Sequence, residues 1–304
     1  MGKIKGFRGP LFLVLASFLW GTTFLAQSAA AKAGIPPLAY NGTRMLLGAF
    51  LLLPAIRIRG KGGALSPLKE KKARRDLLTG GALCGIFLCV ATFFQQYGLT
   101  LGTPAGKSAF ISAFYVVLVP VVGIFFGRRV KPLLWIAVLA SLAGMYFLCL
   151  ADFSAPFSAS LALFSLAKGD FMTLLSALCF AFQILFVGKY VEKCDVFYLS
   201  FFQFLTAGTV SLAFSLFTET ITAASFAEGW WCVLYAAFFS CAIAYTLQVA
   251  GQKETPPAVA SVLMCLESVF ALLCDLILFH HLPRPEEWIG SAVLFGAILF
   301  ASLA

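Results

Sequence analysis

Charged side chains are scarce in this 304-residue chain: Asp, Glu, Lys and Arg make up 12% of it, and only 13 residues are acidic. A soluble domain carries about 25% charged residues, so the composition excludes an ordinary soluble enzyme. With 61% hydrophobic residues, 33 Phe and a mean hydropathy of +0.94, the chain has too little polar surface to cover its apolar side chains in water. The sequence therefore predicts an integral membrane protein.

Cysteine patterns typical of disulfides or metal sites are also missing. None of the nine cysteines forms a CxxC pair, and nearly all lie in apolar runs, which is typical of small packing residues. The adjacent His280 and His281 diverge around a helix, so we do not expect them to share a metal ion. The sequence predicts no metal and no cofactor.

Membrane thickness sets the number of helices. A hydrocarbon core about 30 Å thick takes about 20 apolar residues per helix, and backbone polar groups in lipid need partners within their own segment. The first run, residues 11–30, is longer than the roughly 7–15 residues of a cleavable signal core, so we read it as a retained span. The sequence predicts an all-α membrane protein with ten spans, at residues 10–30, 38–56, 78–100, 104–126, 132–150, 169–189, 196–217, 230–250, 256–279 and 285–303.

Basic residues in alternate loops predict the orientation. Seventeen Lys and Arg fall on the side of the N-terminus and four on the other side, with Arg44 left inside a span. Retained Lys and Arg mark the cytoplasm, so both termini are predicted to be cytoplasmic. The same distribution explains the net charge of +9 without a nucleic-acid partner.

The chain contains a faint internal repeat. Gln96, Thr103 and Pro104 recur at one constant spacing as Gln248, Thr255 and Pro256, and the first two helices of each half correspond at a slightly wider spacing. We predict a first five-helix repeat at 1–150, an extracytoplasmic linker at 151–168 and a second repeat at 169–304. Because five is odd, the second repeat enters from the opposite face, and such inverted repeats are typical of alternating-access transporters.

Three stretches carry a family resemblance: Phe18–Phe24 (FLWGTTF), Tyr40–Arg44 (YNGTR) and Thr103–Tyr115 (TPAGKSAFISAFY), with Leu266–Ala271 (LESVFA) as a second-half counterpart. The sequence resembles the EamA family of the drug/metabolite transporter superfamily. The resemblance implies transport of a small metabolite such as an amino acid, favours export over import, and places a central cavity among the first four helices of each half, with the fifth and tenth helices peripheral. At His280-His281 many members have a Gly-Glu pair, so no role of that acid is carried over.

Glu267 is predicted to lie near mid-bilayer, where a charged carboxylate costs at least about 2.5–3.5 kcal/mol. It must be paired, hydrated or protonated. It is therefore either a substrate-contacting, proton-linked acid or a fixed interhelical hydrogen-bonding group. The repeat spacing makes Tyr115 its counterpart, so the two halves would present an acid and a phenol at matching depth.

Arg44 is too deep in its span to be a simple loop charge. It could hold a substrate carboxylate or phosphate, or it could tie its helix to a neighbour, with Glu267 or Asp275 as possible partners. Both readings stay open.

Uncharged groups complete the candidate binding residues. Trp20 lies near mid-depth, away from the usual interfacial belt, and its indole could stack on a ligand or pack in the core. Polar side chains within spans either line a wet cavity or bond between helices. The remaining candidates are Thr23, Tyr40, Gln96, Ser112, Gln183 and Gln248.

The expected partners are a small-molecule substrate and membrane lipid, for a monomer or weak homodimer in the inner membrane. Import of a small polar nutrient is the alternative direction. A membrane enzyme using Glu267 and Asp275 lacks an evident nucleophile or metal partner, and a non-transporting lipid-binding protein is the third possibility.

Overall fold

The computed structural model describes residues 6–59, 70–103, 105–127, 130–151, 167–279 and 282–303, and this part of the chain contains helices but no strands. The first half comprises α1 (Arg8–Lys32), α2 (Pro37–Arg59), α3 (Lys71–Thr100), α4 (Ala105–Ser112 and Tyr115–Phe125) and α5 (Pro132–Cys149). The second half comprises α6 (Lys168–Tyr190), α7 (Val196–Thr218), α8 (Ala223–Tyr235, Ala236–Tyr245 and Thr246–Gln252), α9 (Pro257–Met264 and Leu266–Phe279) and α10 (Pro285–Leu303).

Local sequence explains several helix ends. Pro132 opens α5, where its missing N–H costs nothing. The Asp195 carboxylate accepts a 2.9 Å hydrogen bond from the Phe197 N–H and so caps α7. Gly34 and Gly102 follow α1 and α3 with φ of +71° and +90°, the left-handed conformation that commonly terminates helices.

Eight helices within the described residues are long and apolar enough to cross a membrane. They are all of those above except α2 and α10. The predicted all-helical membrane class is therefore confirmed. Two helices begin well before their predicted starts: α3 at Lys71 rather than near 78, and α8 at Ala223 rather than near 230. In α3 the first basic residues are good helix formers that continue the helix beyond the apolar run.

Three helices are irregular near their middles. α4 is interrupted at Ala113-Phe114 and α9 at Cys265, and Cys265 follows Ala113 by the same spacing that relates Gln96 to Gln248. In α8, Ala236–Tyr245 form a π-helix, an uncommon wide helix that often occurs at functional sites.

One helix of each half packs against helices of the other half. α6 packs against α3 and α4 of the first half, and α1 packs against α8 and α9 of the second half. We call α3, α4 and α6 the first bundle, and α1, α8 and α9 the second bundle. α2 packs on α7, and α5 packs on α10. If each helix is replaced by its counterpart in the other half, the same set of helix pairs is obtained. Each bundle thus mixes helices from both repeats, an exchange that the repeat pattern did not predict.

Candidate functional site

A partly open cavity lies between the two bundles, with about 500 Å³ of space that includes open solvent. It is lined by α3, α4 and α6 from the first bundle and by α1, α8 and α9 from the second. The lining side chains are mainly aromatic and amide groups with one acid: Trp20, Phe24, Gln27, Gln95, Tyr115, Phe180, Gln183, Ile184, Ser240, Tyr245, Gln248, Met264 and Glu267.

The interruptions in α4 and α9 position two of these groups. Tyr115 begins the second piece of α4, and Glu267 lies in the first turn of the second piece of α9. Both side chains line the cavity. Discontinuous helices at repeat-related positions are typical of substrate sites in transporters, because an interrupted helix can turn polar groups inward at mid-depth.

Glu267 is the acid of the cavity wall. Its residue is 7% exposed, and no Lys or Arg forms a salt bridge with it among the described residues. The phenol of Tyr115 lines the same cavity. An acid in such surroundings can bind a cationic or hydrogen-bond-donating ligand group, or exchange a proton.

Each bundle contributes an aromatic pair to the cavity. In the second bundle the Trp20 and Tyr245 ring centroids are 4.8 Å apart, edge to face. In the first bundle the Phe180 and Tyr115 centroids are 6.5 Å apart in a similar arrangement. The buried Trp20 Nε1 has no hydrogen-bond partner in the described structure, so the indole offers a free donor together with its apolar face.

The amides form a chain across α6, α7 and α8. Gln248 Nε2 donates to Gln183 Oε1 at 3.2 Å, and Gln183 Nε2 lies 3.4 Å from Gln203 Oε1. The Gln248 Oε1 and Gln203 Nε2 atoms have no partner in the described structure. This leaves one unused acceptor and one unused donor along the chain.

Five of the ten predicted site residues line the cavity, namely Trp20, Tyr115, Gln183, Gln248 and Glu267. Two others lie one contact behind it. Gln96 Nε2 donates to the Gln27 carbonyl at 3.1 Å, and Ser112 Oγ accepts from Gln95 Nε2 at 3.0 Å.

The remaining three predicted residues, Thr23, Tyr40 and Arg44, do not line the cavity. The Thr23 hydroxyl donates to the Leu19 carbonyl of its own helix. The Arg44 guanidinium lies 5.2 Å from the Tyr40 ring centroid, and its Nε donates to Asn41 Oδ1 at 2.9 Å. These polar contacts lie within α1 and α2, and the Tyr40 ring also packs in a cluster with residues of α1 and α8.

The sequence suggested Glu267 and Asp275 as partners for Arg44. Arg44 forms no salt bridge with Glu267. The side chain of Asp275, the other suggested partner, lies outside the described residues.

The cavity includes residues that sequence reasoning passed over. Phe180 and Ile184 are the counterparts of Trp20 and Phe24 at the wider spacing that relates the first helices of the two halves, so the repeat could have identified them. Gln95 and Tyr245 were recognisable as polar groups within spans but not as inward-facing ones. Ser240 belongs to the π-helix, for which the sequence carries no recognisable signal.

The described part of the chain contains no group of three His, Cys, Asp or Glu residues that could hold a metal ion. His280 and His281 lie outside the described residues.

The fold and the cavity define a multi-pass membrane protein of the transporter class. The sequence model of the EamA-like transporter family matches residues 7–150 and 167–303. The chain belongs to this family, and it is a multi-pass inner-membrane transporter of the drug/metabolite transporter type.

Similar proteins extend over the whole chain. An uncharacterized transporter of Archaeoglobus fulgidus is 27% identical over 99% of this chain and 87% of its own length. The inner membrane transporter YedA of Escherichia coli K12, also uncharacterized, is 24% identical over 97% and 91%. A solved crystal structure covers 97% of this chain and 96% of its own, with a TM-score of 0.76 and 20% identity, which shows a shared fold.

Proposed function

We propose that the protein is a secondary transporter that carries a small organic metabolite, such as an amino acid, through the central cavity by alternating access. The observation that carries this proposal is the meeting of Tyr115 and Glu267 at one cavity. They come from repeat-related interruptions of α4 and α9. Two similar halves of opposite orientation can exchange conformations, so that a shared site opens first to one side of the membrane and then to the other.

The proposed topology has ten membrane-spanning helices, both termini in the cytoplasm and an inverted repeat with limits 1–150 and 169–304. The symmetric helix pairings between the halves support the repeat. The distribution of Lys and Arg supports the orientation. We propose a monomer or weak homodimer.

The proposed substrate contacts divide by chemistry. Trp20 and Tyr115 provide flat apolar faces and hydrogen-bonding edges, and Gln183 and Gln248 provide amides. Glu267 takes a positively charged or donating group of the substrate and is the candidate for proton coupling. Gln96 and Ser112 support the wall through Gln27 and Gln95.

Thr23, Tyr40 and Arg44 complete the proposed set as residues that reach substrate only when the helices rearrange. Arg44 Nη1 and the Tyr40 hydroxyl are both buried without a hydrogen-bond partner in the described structure. Such unused donors favour an anionic group of the substrate.

The experiment is a thermal-shift screen for ligands, followed by a transport assay. Small metabolites are tested for those that raise the melting temperature of the purified protein, since ligands that bind the native state stabilise it. Stabilising solutes are then measured by counterflow in liposomes. We expect saturable counterflow that Trp20→Ala reduces about tenfold and that Trp230→Ala, which changes an exposed side chain, leaves unchanged.

Absence of flux for every stabilising solute would contradict the transporter and favour a lipid-binding or structural protein. Chemical conversion of a solute by the detergent-solubilised protein would favour the enzyme. The direction of transport is tested in cells. An exporter lowers the cytoplasmic level of the substrate, and the alternative, an importer, raises it.

A further inference from the structure

Arg44 is a buried cation of α2. Its residue is 2% exposed, so the side chain reaches neither lipid nor water. No Asp or Glu among the described residues forms a salt bridge with it. Its Nε donates to the neutral Asn41 Oδ1 at 2.9 Å, and its Nη1 has no hydrogen-bond partner in the described structure. A charge that is buried without a counter-charge is costly, so an anion beside this group would stabilise the protein.

Two neighbouring side chains add unused donors to the guanidinium. Asn41 Nδ2 and the Tyr40 hydroxyl belong to fully buried residues, and neither atom has a hydrogen-bond partner in the described structure. Both side chains contact Arg44, Asn41 through the bond from Nε and Tyr40 through its ring. Buried polar groups are nearly always satisfied. Three unused groups on one turn of α2, each able to donate, indicate a ligand that accepts hydrogen bonds.

The fold does not require a charge at this position. At the spacing that relates the first helices of the two halves, the counterpart of Arg44 is Phe204. Phe204 is fully buried, and its ring packs edge to face on Tyr245 with the centroids 6.0 Å apart. The second half therefore fills the equivalent position with an apolar ring, so the guanidinium of the first half serves something other than packing.

The helix α8 lies opposite Arg44. One turn before Arg44, Tyr40 packs in a cluster with Ala236. One turn after it, a Cβ atom on Gly48 would meet Cys241 Cβ at 2.5 Å. Residues four apart lie on the same face of a helix, so Arg44 lies between these two contacts with α8.

This segment of α8 also departs from its repeat counterpart. Ala236–Tyr245 form the π-helix, whereas their counterparts, residues 84–93, belong to the continuous α-helix α3. A π-helix is wider than an α-helix, so it changes the surface that α8 presents to α2. The buried cation and the wide helix thus occur together at the α2–α8 interface, and neither occurs at the equivalent interface between α7 and α3.

The arrangement fits a small inorganic anion better than a carboxylate. Arg44 Nε is already engaged by Asn41, so the edge of the guanidinium that includes Nε is not free for two parallel bonds to a carboxylate. The unused donors belong to three different side chains, which suits a spherical ion. None of the three side chains lines the central cavity.

We propose that Arg44, Asn41 and Tyr40, with the facing π-helix, form a binding site for one small inorganic anion such as chloride between α2 and α8. The site is separate from the central cavity and does not depend on the proposed function. The bound anion balances the buried charge in the present conformation, before any rearrangement brings Arg44 to a substrate.

The purified full-length protein tests the site without a substrate. Sodium chloride replaces sodium gluconate at constant ionic strength, because gluconate is too large for a buried site. We expect the melting temperature to rise with chloride concentration to a plateau about 2–4 °C higher. Equilibrium dialysis against radioactive chloride should give one bound ion per protein.

Arg44→Met should abolish both the rise in melting temperature and the binding of radioactive chloride. In gluconate this variant should be at least as stable as the wild type, because it removes an uncompensated buried charge. An arginine that only held helices together would instead lower the melting temperature in both salts when replaced, and that result would overturn the proposal. Arg57→Met, at an exposed position of the same helix, is the control and should respond to chloride like the wild type.

Tyr40→Phe is a milder variant, because it keeps the ring beside the guanidinium and removes only the hydroxyl. We expect it to weaken chloride binding about three- to tenfold. Tyr198→Phe is the matched control, since Tyr198 is also buried and its hydroxyl also lacks a partner in the described structure, but it lies near the start of α7. It should leave chloride binding unchanged.

Sodium acetate separates a free inorganic ion from a carboxylate group. Stabilisation by acetate but not by chloride, lost in Arg44→Met, would overturn the inorganic anion and assign Arg44 to a carboxylate. Equal melting temperatures in chloride and gluconate, with no radioactive chloride bound, would overturn the site itself.

The outcome is separable from that of the proposed function. Chloride bound through Arg44 in a protein that carries no solute would contradict the transporter and leave the anion site standing. Saturable flux through a protein that binds no chloride would do the opposite.

Discussion

Lys107 Nζ lies 2.7 Å from Asp170 Oδ2 and joins the first turn of α4 to the first turn of α6. Asp170 also accepts hydrogen bonds from the Thr103 hydroxyl at 3.2 Å and the Ala167 N–H at 3.0 Å. The aspartate side chain is 2% exposed and the lysine 15%. This ion pair therefore holds together two helices of the first bundle that come from different repeats.

We expect Lys107→Ala to destabilise the protein, because it leaves the Asp170 carboxylate buried without its cation. Breaking a buried pair in this way typically costs about 3–5 kcal/mol. The measurement is the melting temperature of the purified protein. Lys168→Ala is the control, since Lys168 is exposed at the start of the same helix as Asp170. Equal melting temperatures for the two variants would contradict the structural role of the pair.

Replacement of Glu267 by Gln should abolish the response of transport to a pH gradient. A glutamine keeps the size and hydrogen bonding of the side chain but cannot take up and release a proton. We expect counterflow at equal pH on both sides to persist. The measurement is solute accumulation in liposomes with an imposed gradient, and Glu192→Gln, at an exposed position, is the control. A gradient response that survives in Glu267→Gln rejects proton coupling through this residue.

Phe180→Ala should weaken substrate binding by about two- to tenfold, since an aromatic pair contributes about 0.5–1.5 kcal/mol beyond its buried area. Phe180 packs against Tyr115 at the cavity wall. Phe171, on the same helix, is 49% exposed, so Phe171→Ala should leave binding unchanged. The measurement is the ligand-induced shift in melting temperature at graded solute concentrations. A similar loss in both variants would point to a general effect on the helix.

Two glycines of α10 should respond in opposite ways to alanine. A Cβ on Gly290 would lie 2.5 Å from both Gly144 O and Leu148 N of α5, whereas one on Gly296 meets nothing within 4 Å. We expect Gly290→Ala to force α5 and α10 apart and lower the melting temperature. Gly296→Ala should raise it slightly, since alanine favours a helix over glycine by about 0.8–1.0 kcal/mol. A loss of stability in Gly296→Ala would contradict this view of α10.

The helices were largely predictable because the membrane leaves the backbone few alternatives. The interruption of α4 at Ala113-Phe114 was not, since no proline or glycine marks it. The sequence near α1 and α6 also does not indicate that each of them packs against helices of the other half. This arrangement follows from packing over long sequence separations.

The depth of the site residues in the membrane was predictable, but whether each side chain faces the cavity was not. Glu267 and Tyr115 could be paired from the repeat spacing alone. Gln96, by contrast, is a polar residue at a similar level that bonds to a neighbouring helix behind the cavity. The hydrophobic pattern cannot separate these cases, because helices buried in lipid and protein are apolar on nearly all sides.

The partnership of α1 with α8 and α9 has a consequence for biosynthesis. Chains are synthesised from the N-terminus, so α1 enters the membrane first, while the helices that it packs against begin only at Ala223 and Pro257. The first bundle can assemble as soon as α6 has been inserted. α1 must instead wait, surrounded by lipid or by the insertion machinery, until α8 and α9 have been synthesised.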